Sequence, residues 1–339
     1  MLYPLKFYPR LKERIWGGNR LAEAGKKPYR TSVRPDRTGE SWEISGVEGD
    51  ASVVRYGPLR NNNLRELTEV FMGDLVGDSV YEKYETEFPL LVKLIDARDV
   101  LSVQVHPDDG LAARVHGCRG KTEMWYIVDS EPGAHLWIGF DRETSEEEYL
   151  EAVRDGTLTA LLRRYDARPG DAFLIPAGTV HALGKGILLA EIQETSDVTY
   201  RIDDWGRTDS DGRPRELHTG LAAEAIRFGR PEDLRLVPRP DGEGVSSLVR
   251  CEHFNVNLLK INGRLERDYA PVDSFVAYLC TEGSARISYS GGATELGALE
   301  SLLVPADETD ITFEGEAAVL ETYVDIYPGR GTNNKGPSC

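Results

Sequence analysis

Two histidines, a glutamate and a glutamine stand where a metal ion could bind. Gln104 and His106 lie two residues apart in an apolar run, so both side chains point to one face of a predicted strand. Glu123 begins another apolar run, and His181 follows a strand and a tight turn at Pro176. Nitrogen and oxygen donors on rigid strands suit zinc and its first-row neighbours. These residues predict a metal-dependent enzyme.

Each of these residues also has an ordinary interpretation when it is taken alone. A histidine after a turn is often a surface or capping residue, and Glu123 could be a solvated strand carboxylate. His106 could simply end a strand before Pro107. The combination favours a site, because an unpaired charge on an apolar strand is costly. The other histidines lack such a setting and are interpreted as ordinary: His116, His135, His218 and His253.

Polar and basic residues surround the predicted metal site. Lys121 precedes Glu123 by two residues, and Arg201 follows a strand in which Glu191 and Gln193 share one face. Lys121 and Arg201 could clamp a phosphate group or sugar hydroxyls. Surface solvation explains these two residues equally well, so both interpretations stay open.

Size, charge and cysteine spacing limit the function classes. The chain has 339 residues and a net charge of −17, which argues against nucleic acid or an anionic membrane as the main partner. The cysteines have no short paired spacing, so we expect reduced thiols in a cytoplasmic protein; they are Cys118, Cys251, Cys280 and Cys339. We also expect no signal peptide and no membrane span.

Strands separated by short turns dominate the predicted secondary structure. They are expected at residues 41–45, 90–95, 101–105, 124–128, 172–175 and 188–192. Helices are expected at about 63–75, with a capping box of Asn63 and Glu66, at 145–164, with Ser145 and Glu148, and at 220–226. This pattern favours a mainly β protein made of closed antiparallel jelly rolls.

The C-terminal part echoes the first half. Residues 125–133 resemble 277–283, and residues 173–177 resemble 302–306. The simplest account is one β-barrel used twice, with helical insertions in the N-terminal part. Aligning the copies places Asp310 at His181 and Phe275 at Glu123, so the second barrel lacks the ligand set. We predict a catalytic domain at residues 1–237, a second barrel at 245–327 and a flexible tail at 328–339.

Several segments resemble a known family. The spacing of Gly170, Pro176, Gly178 and His181 resembles the second sequence motif of the cupins. Five further segments resemble the short bacterial kind of type I mannose-6-phosphate isomerase. They are residues 15–18 (Ile-Trp-Gly-Gly), 39–44 (Gly-Glu-Ser-Trp-Glu-Ile), 101–109 (Leu-Ser-Val-Gln-Val-His-Pro-Asp-Asp), 120–125 (Gly-Lys-Thr-Glu-Met-Trp) and 201–206 (Arg-Ile-Asp-Asp-Trp-Gly). The resemblance spans residues 1–325 with the motifs in order. One departure is Lys185, where cupins commonly have asparagine.

The resemblance implies two cupin-type jelly-roll barrels and a set of functional residues. It implies one Zn²⁺ per chain, with other divalent first-row metals as alternatives, bound by Gln104, His106, Glu123 and His181. It also implies that the sugar-phosphate site is lined by Lys121, Glu191 and Arg201, with Trp16 in its wall.

The implied reaction interconverts mannose 6-phosphate and fructose 6-phosphate through a cis-enediolate. In this hypothesis Arg201 stabilises the anion, and Lys121 holds phosphate or relays protons. Glu191 is either the general base or a structural hydrogen-bond acceptor.

Two other classes remain as alternatives: a cupin metal oxygenase and a catalytically silent protein that binds sugar phosphates. The expected partner is a small-molecule sugar phosphate, with no nucleic acid and no membrane. The expected assembly is a monomer or homodimer.

Overall fold

Short strands make up most of the chain. The computed structural model describes residues 2–30, 32–208, 211–229 and 233–326, so the predicted tail at 328–339 lies outside the described residues. The strands are β1 (Phe7–Tyr8), β2 (Arg10–Gly18), β3 (Thr38–Ser45), β4 (Val53–Val54), β5 (Leu90–Ala97), β6 (Val103–Val105), β7 (Glu123–Ser130), β8 (His135–Phe140), β9 (Leu162–Asp166), β10 (Ala172–Ile175), β11 (His181–Leu183), β12 (Ile187–Glu194), β13 (Tyr200–Asp203), β14 (Arg235–Leu236), β15 (Arg239–Pro240), β16 (Val245–Arg250), β17 (Asn255–Asp268), β18 (Val276–Tyr289), β19 (Gly292–Gly297), β20 (Ser301–Val304) and β21 (Asp310–Tyr323). The mainly β prediction is confirmed.

The helices are short and lie between strands. They are α1 (Arg20–Glu23), α2 (Leu64–Phe71), α3 (Gly73–Val76), α4 (Asp78–Tyr84), α5 (Asp109–His116), α6 (Glu146–Arg154) and α7 (Thr219–Ala225), with 3-10 turns at Pro35–Arg37 and Leu158–Leu161. No helix in the described ranges is long and apolar enough to cross a membrane.

Contacts divide the chain into two units. The central unit consists of residues 11–41 and 93–235, and the terminal unit of the described parts of 1–10, 42–92 and 236–339. The terminal unit is therefore discontinuous in sequence, with two N-terminal segments and one C-terminal segment. The domain boundaries at residues 237 and 245 stay a prediction.

Two sheets contain the strands of the central unit, and β7 pairs antiparallel with both β10 and β12. The first has the strand order β14-β10-β7-β12-β5-β2-β3, and the second has the order β13-β6-β11-β8-β9. A buried apolar cluster joins residues of both sheets, such as Trp125 and Phe173 of the first and Leu136 and Ile138 of the second. The other face of the second sheet carries a separate cluster that includes Tyr149 of α6. Side chains from the inner faces of the two sheets therefore pack against each other inside the central unit.

The terminal unit contains one sheet of long strands. Its order is β15-β16-β17-β21-β18-β19, and β20 pairs with β18. Inside it, Glu321 is fully buried and accepts bonds from Arg267 at 2.9 and 3.1 Å and from Tyr269 and Asn257. The negative charge of Glu321 is thus paired and hydrogen-bonded, as burial of a carboxylate requires.

The capping signals in the sequence locate two helix starts correctly. Asn63 and Glu66 form the reciprocal capping box at the start of α2, as predicted. Ser145 accepts a hydrogen bond from the Glu148 N–H at the start of α6. The predicted extent of this second helix is wrong: α6 ends at Arg154, and Leu162–Asp166 form β9 beside β8. Pairing with β8 provides β9 with backbone partners, which outweighs its local helical pattern.

A distant carboxylate caps α4 in the terminal unit. The residue before this helix is Gly77 with φ +95°, and its missing side chain cannot cap the first turn. The Asp273 carboxylate instead accepts hydrogen bonds from the N–H groups of Asp78 and Ser79, both at 2.8 Å. These bonds satisfy two of the orphan donors at the helix start.

The strands behind the sequence repeat pair alike in both halves. β7 pairs antiparallel with β10, so that Tyr126 lies opposite Ala172. β18 pairs antiparallel with β20, with Tyr278 opposite Leu302. In the sequence alignment Leu302 corresponds to Phe173, so the two registers differ by one residue. The repeat therefore reflects a shared strand pairing with a small shift in register.

Candidate metal centre

Three polar side chains of the second central sheet lie on one rung. Gln104 of β6 is directly opposite His181 of β11 on one side and Arg201 of β13 on the other. Residues directly opposite each other in antiparallel strands point to the same face. Strand pairing alone therefore brings Gln104, His181 and Arg201 together, although 97 residues separate the first from the last along the chain.

The first central sheet contributes a second row of polar residues. Glu123 of β7 lies opposite Gln193 of β12, and Trp125 lies opposite Glu191. All four side chains are buried. The alternation of β12 thus places Glu191 and Gln193 on the same face as Glu123, as the sequence predicted.

The two rows meet at a buried cluster of metal-type donors. Glu123 Oε2 lies 3.4 Å from His106 Nε2, and Glu123 Oε1 lies 3.3 Å from His181 Nε2. One donor atom from each of His106, Glu123 and His181 falls within 4.8 Å of the others. The side-chain amide of Gln104 is 3.1 Å from His181 Nε2. All four residues predicted as ligands are therefore brought together.

Backbone carbonyls orient both imidazoles. His106 Nδ1 lies 2.9 Å from the Val198 carbonyl, and His181 Nδ1 lies 2.9 Å from the Thr179 carbonyl. Because a carbonyl oxygen only accepts, each Nδ1 carries the proton and each Nε2 directs a lone pair into the cluster. Such outer contacts are typical of metal-binding histidines.

The turn before His181 ties the two histidine segments together. Gly178 has φ +84°, and a Cβ there would lie 2.8 Å from the Ala225 carbonyl. Its N–H donates to the His106 carbonyl at 2.8 Å. Glycine is therefore required both by the backbone conformation and by the close approach.

Lys121 balances the negative charge of Glu123. Its Nζ lies 3.0 Å from Glu123 Oε2 and 3.0 Å from His106 Nε2. Burial alone would raise the pKa of Glu123, but Lys121, His106 and His181 outweigh it and hold that pKa well below the usual range. Burial would lower the pKa of Lys121, but Glu123 and Glu191 raise it above its ordinary value. Burial, with Lys121, lowers the pKa of His106 to about 3.

These donors fit a divalent cation. Both oxygens of Glu123 are buried and have no hydrogen-bond partner among the described residues, although Lys121 lies within ion-pair distance. Buried carboxylates are normally hydrogen-bonded, so these oxygens are available to a cation. The histidines are neutral, as ligands must be, and burial, the main cause, lowers the pKa of His181 as well.

A buried lysine that sequence analysis missed completes the site. Lys93 of β5 donates to Glu191 Oε1 at 2.9 Å and to Gln193 Oε1 at 2.5 Å. Trp125 Nε1 donates to Glu191 Oε2 at 2.8 Å. The signal available in the sequence was a single charge inside the apolar run of residues 90–95.

Arg201 is held at the edge of the second sheet. It is half-buried, and its Nη1 donates to the Glu216 carbonyl at 2.9 Å. Its Nε is buried and has no hydrogen-bond partner within the described ranges. Nearby, the Asp204 carboxylate binds Arg207 and Arg215. Burial and the charge of Arg215 lower the pKa of Arg201.

The remaining residues named from the sequence take varied positions. Trp16 is buried in the apolar cluster that contains Trp125. Lys185 is exposed. Of the histidines interpreted as ordinary, His116 bonds the Tyr200 hydroxyl at 2.8 Å, and His218 contacts the backbone of Arg201.

A mainly β fold that encloses buried nitrogen and oxygen donors is typical of β proteins that bind a metal ion. Comparison with known proteins shows which family of such proteins matches this chain. Residues 4–124 match the family model of the phosphomannose isomerase type I catalytic domain. The mannose-6-phosphate isomerase ManA of Bacillus subtilis is 35% identical over 95% of this chain and 99% of its own length. A mannose-6-phosphate isomerase of Streptococcus mutans is 33% identical over 95% and 99%.

Solved structures agree with the sequence matches. The crystal structure of a mannose 6-phosphate isomerase from Bacillus subtilis superimposes with a TM-score of 0.83 at 34% identity, covering 95% of this chain and all of that chain. The chain belongs to the type I phosphomannose isomerase family.

Proposed function

We propose that this protein interconverts mannose 6-phosphate and fructose 6-phosphate. The two mannose-6-phosphate isomerases compared above match this chain over 99% of their own length. The observation that carries the proposal is the buried cluster of His106, Glu123 and His181, with Lys121 in contact with it. An aldose–ketose isomerisation needs a site that stabilises negative charge on neighbouring sugar oxygens, and these residues supply the donors and the cation for it.

The cofactor of this proposal is one Zn²⁺ per chain, held by Gln104, His106, Glu123 and His181. Two imidazoles, a carboxylate and an amide oxygen suit zinc, while manganese or cobalt also accept such donors. When bound, the ion would supply Lewis-acid stabilisation of the enediolate oxygens.

The chain's own residues are proposed to bind the substrate and move one proton. The base takes the proton from C2 of the open-chain aldose and returns it to C1, while the hydroxyl proton shifts from O2 to O1. Glu191 is proposed as this base, because each of its oxygens keeps a lone pair beyond the bonds to Lys93 and Trp125. Arg201 Nε is proposed to donate to the enediolate. Lys121 is proposed to hold the phosphate or relay protons, with Trp16 in the cavity wall.

Replacing the base tests this assignment. A general base contributes about 10²–10⁴-fold to the rate, so Glu191→Gln should lower kcat by that factor. Near-normal turnover of the E191Q protein would remove Glu191 from the role and leave it as a structural acceptor for Trp125 and Lys93.

The domain organisation, cellular location and assembly of the protein are also proposals. We propose that the protein has two cupin-type jelly-roll barrels, a catalytic domain at residues 1–237 and a second barrel at 245–327 that lacks metal ligands. The shared strand pairing of β7–β10 and β18–β20 supports this division. The protein is proposed to act in the cytoplasm as a monomer or homodimer, with a sugar phosphate as its partner.

The decisive experiment is proton exchange followed by NMR. Metal-loaded and metal-stripped protein would be incubated with mannose 6-phosphate in heavy water. We expect fructose 6-phosphate with deuterium in the sugar only when metal is present. Binding without product or exchange would instead indicate a silent sugar-phosphate-binding protein, and oxygen consumption would indicate an oxygenase.

A further inference from the structure

The segment before α7 holds the backbone and side chain of Arg201 by three hydrogen bonds. The Arg201 N–H donates to His218 Nδ1 at 3.1 Å, and the His218 N–H donates to the Arg201 carbonyl at 2.7 Å. The third bond runs from Arg201 Nη1 to the Glu216 carbonyl at 2.9 Å. Two residues of one short segment therefore fix Arg201 at both its backbone and its guanidinium.

The position of β13 explains why the backbone of Arg201 needs such a partner. β13 is the last strand on its side of the second central sheet, and β6 is its only neighbour in the described sheet. An edge strand has outward N–H and C=O groups that no strand satisfies. His218 satisfies both groups of Arg201, with its backbone N–H as the donor and its imidazole Nδ1 as the acceptor.

The contacts of the Arg201 side chain leave its charge available. Its Nη1 bonds a neutral carbonyl, and its buried Nε has no hydrogen-bond partner in the part of the chain that the structure describes. The nearby carboxylate of Asp204 pairs with Arg207 and Arg215 instead. Among the described residues no carboxylate forms an ion pair with Arg201, so its orientation depends on the bonds to Glu216 and His218.

We infer that His218 is a positioning residue for Arg201. This inference rests on the proposed function, in which Arg201 faces the enediolate. Arg201 stands on the same rung as Gln104 and His181, so a change in the backbone at residue 201 moves its guanidinium relative to the metal-type donors. A displacement of about 1 Å in a reacting group can lower the rate about 100-fold.

The side-chain chemistry of His218 suggests a sharp set of variants. His218→Ala removes the acceptor for the Arg201 N–H. His218→Asn restores it, because the amide Oδ1 stands near the place of Nδ1 and cannot be lost by protonation. His218→Gln moves the acceptor by one methylene, and it replaces H218A in the comparison if the alanine variant does not fold.

His116 offers a matched control. It also bonds β13, but through the Tyr200 hydroxyl at 2.8 Å, and in the described part of the chain it makes no hydrogen bond to Arg201. His116→Ala therefore removes a hydrogen-bonded histidine next to the same strand without removing the acceptor at residue 201.

We expect H218A to lower kcat by about 10- to 100-fold with a smaller change in KM, as for loss of orientation in the transition state. H218N should stay within about threefold of the wild type, and so should H116A. Urea unfolding should place H218A and H116A at similar midpoints. In a crystal structure of H218A, the guanidinium of Arg201 should be displaced from its wild-type position.

Three results would overturn the inference: wild-type kcat in H218A, equal losses in H218A and H218N, or an equal loss in H116A. If the wild-type protein itself shows no isomerase activity, the proposed function fails instead. The positioning role is then tested by comparing crystal structures of the wild type and H218A. The inference is refuted if the guanidinium of Arg201 has the same position in both.

Discussion

Removing the buried charge of Lys93 should destabilise the protein more than most single substitutions. Lys93 and Glu191 are 7% and 4% exposed, and their charged atoms are 2.9 Å apart. At an effective dielectric constant of about 20, unit charges about 3 Å apart attract by about 5–6 kcal/mol. Lys93→Met loses this attraction and leaves Glu191 with the Trp125 N–H and the more distant charge of Lys121.

The expected loss is about 3–5 kcal/mol in the free energy of unfolding, the range for breaking one side of a buried pair. Glu191→Gln should cost a similar amount, because it leaves Lys93 as the unpaired charge. In the double variant K93M/E191Q neither charge remains, so its loss should be at least about 2 kcal/mol smaller than the sum of the two single losses.

Urea unfolding of the metal-free wild type and the three variants measures these quantities, with the midpoint and slope reported together. The Arg114→Ala variant is a suitable control. Arg114 forms an exposed ion pair with Glu224, which should contribute less than about 1 kcal/mol to the free energy of unfolding. A loss below about 1 kcal/mol in K93M, or strictly additive losses in the double variant, would show that the pair is not the buried charge balance described here.

Three further predictions concern the metal centre, a carboxylate bound by two arginines and a glycine. Glu123→Gln should lower metal affinity by about 100-fold or more, measured as metal content after dialysis against a weak chelator; full metal retention would contradict the ligand assignment. Burial by itself would raise the pKa of Asp204, but Arg215 and Arg207 hold it below the usual range, so its stabilisation is present at neutral pH and is lost as pH falls below about 4. The wild type should thus exceed Asp204→Asn by about 1–2 kcal/mol in free energy of unfolding at pH 7. Urea titrations should show this advantage shrinking as the pH is lowered below about 4, and a difference that does not change with pH would contradict the ion pairing of Asp204. Gly39→Ala places a Cβ 2.7 Å from the Trp16 ring and 2.6 Å from Arg14 Cβ, so these groups must shift to admit it. A thermal scan should show a loss of about 1–3 kcal/mol in stability, and an unchanged melting temperature would contradict this close packing.

Sequence patterns located the donors of the site because strand alternation is a local property. Gln104 and His106 share a face within one short segment, and Glu191 and Gln193 do so within another. Local pattern could not show which strands become neighbours, so the rung that joins Gln104 to Arg201 came only with the sheet order.

Residues whose partners come from distant segments were missed for the same reason. Lys93 became interpretable only when β5 and β12 were placed in one sheet. His218 was interpreted as ordinary because nothing near it in sequence indicates a bond to residue 201. The helix α5 was also missed, although Asp108 caps its first turn, because a cap followed by glycine at position 110 is a weak local signal.

The Asp273 cap on α4 has a consequence for the order of synthesis. Asp78 and Ser79 leave the ribosome almost 200 residues before the carboxylate that satisfies their N–H groups. Residues 42–92 therefore cannot complete their fold until the last third of the chain has been made, because it supplies the cap of α4 and the strands β17–β21. Most of the central unit is complete well before that point. A nascent chain stopped after residue 235 should accordingly hold a folded centre and an early segment still exposed to chaperones and proteases.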